Sequence, residues 1–86
     1  MREIVNVIPR RDFFLEVEFD NGERRVFDLK PYLRGSLFEP LANESLFRQV
    51  EIEEDFGGLV WPTGADLCPD MIYKNAVPVR LGASVA

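Results

Sequence analysis

Eighty-six residues, 47% hydrophobic and 29% charged, are enough for one small buried core and too few for two, so a single globular domain is expected. The chain has no histidine, which excludes Cys-His and Ser-His-Asp catalysis and every histidine-ligated metal site, and its single cysteine excludes an internal disulfide. Net charge is −5 but uneven: residues 1–38 carry seven basic and seven acidic side chains, whereas residues 39–70 carry eight acids against Arg48 alone.

In chain order, "EIVNVIP" predicts a first strand with Ile4, Asn6 and Ile8 on one face, Val5 and Val7 on the other, and Pro9 closing it. After a polar link, "FFLEVEF" alternates strictly, with Phe13, Leu15, Val17 and Phe19 inward and Glu16 and Glu18 outward. "DNGE" is a hairpin turn leading into a return strand, "RRVFDL". The hydrophobic pattern selects its register. A loop of Asn21 and Gly22 alone would set Phe27 beside Glu16, whereas a loop of Asp20, Asn21 and a left-handed Gly22 pairs Leu15 with Phe27 and Glu18 with Arg24. The second register is therefore expected.

"KPYLRGSLFEPL" is irregular, with a helical turn from Pro31 that Gly35 can end. Asn43 is an N-cap for a short helix "ESLFRQV" that buries Leu46, Phe47 and Val50. "EIEED" and "LVWP" form a second hairpin around "DFGG", and "PDMIYKNA" a closing helix. "VPVRLGASVA" reads as a partly ordered end, with the domain taken as residues 1–78 and the tail as 79–86. The class is α+β, a small and mainly antiparallel sheet in the order β-β-β-α-β-β-α, two layers with helices on one face. Such an open sheet leaves edges through which a homodimer can form.

The candidate chemistry lies between residues 51 and 70. Cys68 before Pro69 would sit at a helix start, yet Lys74 is its nearest cation in sequence, so a buried structural thiol is expected rather than a nucleophile. Asp66 and Asp70 are four apart and can pair on one helix face, although capping by Asp66 and a dipole role for Asp70 explain them better. Glu51, Glu53, Glu54 and Asp55 have strand spacing and lack the pattern of a calcium loop. No cofactor motif is present: Gly57-Gly58 is too short for a phosphate loop. Trp61, ahead of the ladder-breaking Pro62, is either core or an edge anchor for a partner, with core packing favoured.

These residues make Trp61, Asp66, Asp70, Glu51, Glu53 and Asp55 the candidate partner-binding set. An acidic surface attracts basic proteins and repels phosphate backbones, so a small basic protein partner is expected and direct nucleic-acid binding is not. The plain alternative is that the acidity only keeps a small protein soluble. Without a signal-peptide core or an apolar run of roughly 18 residues, membrane contact is not expected and a cytoplasmic location is.

The strings "F-x-N-G-E" (Phe19 to Glu23), "F-D-L" (Phe27 to Leu29), Leu46-Phe47 and "W-P-x-G-x-D-L-x-P-D-x-x-Y" (Trp61 to Tyr73) together resemble the DUF2442 family of small bacterial domains over about residues 3–77. The resemblance implies an α+β fold, a bacterial source and no established biochemical activity. It implies gene neighbourhoods that look like toxin and antitoxin pairs, and relatives with a helix-turn-helix domain after this one. Here the chain ends soon after Leu81, so direct transcriptional regulation is not expected. A non-enzymatic interaction module, antitoxin-like with a neighbour-encoded partner, is thus the leading expectation. An accessory domain of a DNA-binding regulator, or a small-ligand-binding domain, is the alternative.

Overall fold

The clearest period-2 signal in the chain becomes the centre of the fold. Phe14–Phe19 (β2) turns Leu15, Val17 and Phe19 inward and pairs on one side with Ile4–Pro9 (β1) and on the other with Arg24–Asp28 (β3). This is the arrangement in a computed structural model that describes residues 2–79. The predicted register holds: Leu15 faces Phe27 and Glu18 faces Arg24. Its cause is the turn, where Gly22 takes φ 86° and its N–H reaches the Phe19 carbonyl at 2.9 Å, while the Phe19 N–H reaches the Glu23 carbonyl at 2.9 Å.

The expected faces of β1 are corrected. Its pairing shifts between Ile4 and Asn6, so Ile4 opposes Phe19, Asn6 opposes Glu18 and Val7 opposes Val17. A bulge at Val5 adds one residue and flips the parity, sending Val7 to the core side and Ile8 outward beside Glu16. The link from β1 to β2 is equally tight. Asp12 and Phe13 both adopt left-handed backbone (φ 61° and 64°), which Lys30 Nζ supports by donating to the Asp12 carbonyl at 2.8 Å.

Beyond β3 the chain makes short turns and two four-residue helices, Gly35–Phe38 (α1) and Glu44–Phe47 (α2). Asn43 caps α2 as expected, its side-chain oxygen accepting from the Ser45 N–H at 2.9 Å, but the helix is shorter than "ESLFRQV". Gly35 begins α1 instead of ending a turn.

A second, three-stranded sheet then forms from Glu51–Ile52 (β4), Leu59–Val60 (β5) and Asp66–Leu67 (β6). Pro69–Asn75 (α3) follows, and Val77–Pro78 (β7) pairs with β3 to complete a four-stranded sheet in the order β1-β2-β3-β7. All pairings are antiparallel and the class is α+β. The one predicted sheet is in fact two, with β6 and β7 additional. Residues 77–79 are the ordered part of the partly ordered end, since the Val79 N–H also bonds the Arg24 carbonyl at 3.0 Å. The rest of the expected tail, residues 80–86, lies outside the described residues.

The core lies between the inner faces of the two sheets and the helices. Leu15, Val17, Phe19, Phe27 and Leu29 come from the larger sheet and its exit, Leu59, Trp61 and Leu67 from the smaller, and Leu41, Phe47 and Ile72 from the helical segments. Phe47 joins both halves: its ring packs edge-on against Phe13 at 5.2 Å, and its carbonyl accepts the Trp61 indole N–H at 3.0 Å.

Candidate functional site

The stretch from Trp61 to Tyr73 builds three things in succession: a turn, a strand and a helix. The turn repeats the one at Gly22. Gly64 is left-handed (φ 92°) and its N–H reaches the Trp61 carbonyl at 3.0 Å, while the Trp61 N–H reaches the Ala65 carbonyl at 2.9 Å. In each loop a polar side chain accepts from the residue after the glycine: Asn21 from the Glu23 N–H at 3.0 Å, Thr63 from the Ala65 N–H at 3.3 Å. Thr63 also donates to the Leu37 carbonyl at 2.8 Å, tying α1 to the smaller sheet. Both glycine strings are therefore three-residue hairpin loops, set by local turn chemistry.

Trp61 is 2% exposed, so of the two readings the favoured one holds: this indole packs in the core and does not stand out as an edge anchor. Its N–H is satisfied by Phe47 and its ring lies edge-on to Phe38, which accounts for it as core.

Asp66 and Asp70 do not share a helix face. Asp66 is an exposed residue of β6 opposite Val60, so it caps nothing; Cys68 occupies the N-cap of α3, without a side-chain bond to the helix. Asp70 does stand in the first turn, where it accepts from the Arg2 backbone N–H at 3.2 Å. Cys68 itself is exposed, against the expectation of a buried thiol. The strand alternation explains this, because Leu67 turns inward and its neighbours outward.

What the fold does bring together is a row across the smaller sheet. Glu51 faces Val60 and Val60 faces Asp66, so two acids flank a half-buried valine on the side away from the core, while Ile52, Leu59 and Leu67 point in. Glu53 stands two residues beyond Glu51, and its carboxylate accepts from the Asp55 N–H at 3.0 Å in the adjoining turn. A groove of about 580 Å³ opens beside this row, lined by Arg48, Gln49, Val50, Glu51, Val60, Trp61 and Pro62.

The charge map is sharper than the sequence implied. The ion pairs among the described residues join Arg2 to Asp20, Arg10 and Arg24 to Glu16, Arg24 to Glu18, Arg25 to Glu23, and Lys30 to Asp12 and Asp28. None involves Glu39, Glu44, Glu51, Glu53, Glu54, Asp55, Asp66 or Asp70. The first half neutralises itself and leaves the net charge on the second. Among the described residues no three His, Cys, Asp or Glu side chains converge into a metal cage, and no helix is long and apolar enough to cross a membrane.

Glu23 and Tyr73 were not singled out as a pair by sequence reasoning, yet they are the most closely knit polar group in the fold. The Tyr73 hydroxyl donates to Glu23 at 2.8 Å, Arg25 Nε donates to the other Glu23 oxygen at 2.6 Å, and Arg25 lies 4.0 Å over the Tyr73 ring while donating to the Tyr73 carbonyl at 3.0 Å. Fifty positions separate the two residues, so only their places at the ends of the two glycine strings hinted at the contact. The Tyr73 hydrogen bond, then Arg25, holds the Glu23 carboxyl below its ordinary pKa. A carboxylate whose folded pKa is depressed contributes stability above its unfolded pKa and loses it as pH falls through the folded value. Tyr73→Phe is accordingly expected to move the Glu23 titration, followed by carboxyl NMR, upward, and to flatten the fall in melting temperature below about pH 4.5. An unmoved Glu23 titration would show that the hydroxyl contact is not made.

The two sheets and their helices define a small α+β domain held by turn, aromatic and ion-pair contacts. The chain belongs to the DUF2442 family, described as a protein of unknown function, which matches residues 4–78. The four marker strings account for its internal joints: Phe47 with Trp61, and Glu23 with Tyr73. No curated protein and no solved structure matches the chain.

Proposed function

We propose that this domain is a non-enzymatic interaction module that docks a small basic protein on the outer side of its smaller sheet, in the manner of an antitoxin with a neighbour-encoded partner. One observation carries the reading: all eight acids of residues 39–70 lie outside the ion pairs of the described residues, while five of the seven cations of the first half, Arg2, Arg10, Arg24, Arg25 and Lys30, pair with acids of their own half. Unpaired acids steer a basic partner and fix its register more than they add affinity. Val60 gives the aliphatic stem of a lysine or arginine something to lie along, with Glu51 and Asp66 on either side for its head. The absence of histidine and the separation of Asp66 from Asp70 onto different elements favour binding over catalysis.

The test is capture of the tagged full chain from its own cells, identification of the bound protein, and titration with the purified partner. Glu51→Lys combined with Asp66→Lys is expected to weaken binding by at least about tenfold and to reduce its salt dependence. Both residues are exposed, so the fold should survive. Unchanged binding by the double variant sinks the reading, as does a partner that is acidic.

A further inference from the structure

The loop that sets the register of the larger sheet carries the one Asn-Gly pair in the chain, Asn21 and Gly22. The other asparagines, Asn6, Asn43 and Asn75, precede Val7, Glu44 and Ala76, whose Cβ atoms shield the backbone nitrogen that follows the asparagine. Gly22 has no such atom, so its nitrogen is open to the carbon of the Asn21 side-chain amide. Both residues are exposed, and nothing lies within 4 Å of the place where a Cβ of Gly22 would stand.

The hydrogen bonds of the loop hold that amide ready for attack. The Glu23 N–H donates to Asn21 Oδ1 at 3.0 Å, so a donor already faces the oxygen on which negative charge develops when Cγ is attacked. Asn21 Nδ2 donates to Glu23 Oε1 at 3.3 Å, which turns the side chain along the backbone past Gly22. One contact opposes the reaction. The Gly22 N–H donates to the Phe19 carbonyl at 2.9 Å and must let go before the nitrogen can attack. That bond lies at the loop tip, beyond the paired residues Glu18 and Arg24, so it opens by local fraying while the sheet stays paired.

We infer that Asn21 is a site of spontaneous deamidation in the folded domain, and that its product loosens the contact between Glu23 and Tyr73. The Gly22 nitrogen gives its proton to solvent and bonds to Asn21 Cγ. The bond from Cγ to Nδ2 breaks, and the nitrogen leaves as ammonia with a proton taken from solvent, which leaves a cyclic imide. Water then opens the imide. Opening at Cγ restores the backbone with an aspartate in place of Asn21, and opening at the backbone carbonyl gives an isoaspartate, whose chain runs through the former side chain and is longer by one carbon. Either product puts a carboxylate where Nδ2 donated to Glu23, so two like charges meet at a former hydrogen bond. The Tyr73 hydroxyl donates to the same Glu23 oxygen at 2.8 Å, so the repulsion reaches Tyr73 directly. Isoaspartate also lengthens the loop that fixes β2 against β3.

The test incubates the folded full chain at neutral pH and physiological temperature beside the same chain in urea. Peptide mass spectrometry follows all four asparagines, and anion exchange separates the more acidic product. Asn21 is expected to convert at least about tenfold faster than Asn6, Asn43 or Asn75, and its rate in the folded chain to lie within about tenfold of that in urea, as local opening allows. The separated product should melt below the parent, and a Tyr73→Phe background, which lacks the hydroxyl contact, should shrink that difference. Gly22→Ala should slow the conversion even though it weakens the turn, because its Cβ shields the nitrogen. The inference is overturned by an Asn21 no faster than the other asparagines, by conversion confined to the unfolded chain, by a Gly22→Ala rate equal to the parent's, or by a product that melts with the parent.

Discussion

Trp61→Ala should remove a large share of the stability of the domain. Removing a fully buried tryptophan costs about 3–5 kcal/mol, while a domain of this size has roughly 4–13 kcal/mol in total. The loss is aggravated by position, since Trp61 is 2% exposed and bonds the carbonyl of Phe47, whose ring packs against Phe13 in the other half. Trp61→Phe separates packing from bonding: it keeps much of the volume and orphans that carbonyl, with an expected cost of about 1–3 kcal/mol. Urea denaturation of the purified variants measures both. A Trp61→Phe protein as stable as the parent would mean that the indole N–H is not bound as described, and would reopen a surface role for this side chain.

Gly58→Ala is the second large effect. A Cβ at Gly58 would overlap the backbone carbonyl of Leu67 and the ring of Phe56. Phe56 can swing aside, but the Leu67 carbonyl belongs to β6 and moves only with the strand. Overpacking costs about 1–3 kcal/mol and occasionally more, and a clash with backbone belongs at the upper end. Gly22→Ala is the natural comparison, because nothing lies within 4 Å of its added carbon and only the left-handed φ of 86° opposes it. That strain is about 1–2 kcal/mol. Gly58→Ala should therefore be the more damaging of the two by thermal unfolding. Equal losses would show that β5 and β6 do not approach as closely as this packing requires.

These effects recast what the family's strings are for. The turn at Gly64 and the buried indole of Trp61 are structural joints, as are the Glu23 and Tyr73 ends of the two strings. A surface that meets a partner should then lie on residues outside the strings, or on those of their residues that point outward. Asp66 and Cys68 are of the second kind, projecting from β6 and the start of α3. Glu51 and Val60 are of the first.

Local chemistry was enough for some of this. The register of β2 against β3 follows from a left-handed glycine three residues into a loop and from a period of two that a single slip would invert. The Asn43 cap and the proline-led start of α3 are likewise decided within four residues of sequence. The uneven charge is composition alone. Tertiary structure decided the rest. The bulge at Val5 reversed the faces of β1, because parity there depends on which residue of β2 lies opposite. Strands β6 and β7 have two residues each, too few to show a period, and exist only because β5 and β3 offer them open edges. Whether Trp61 faced water or the core, and whether Cys68 was hidden, turned on the same unseen strand: pairing Leu67 inward with Leu59 buries one side of the turn and exposes the other. A sequence records the preference of each residue for its neighbours along the chain; the faces of short strands are set by partners across it.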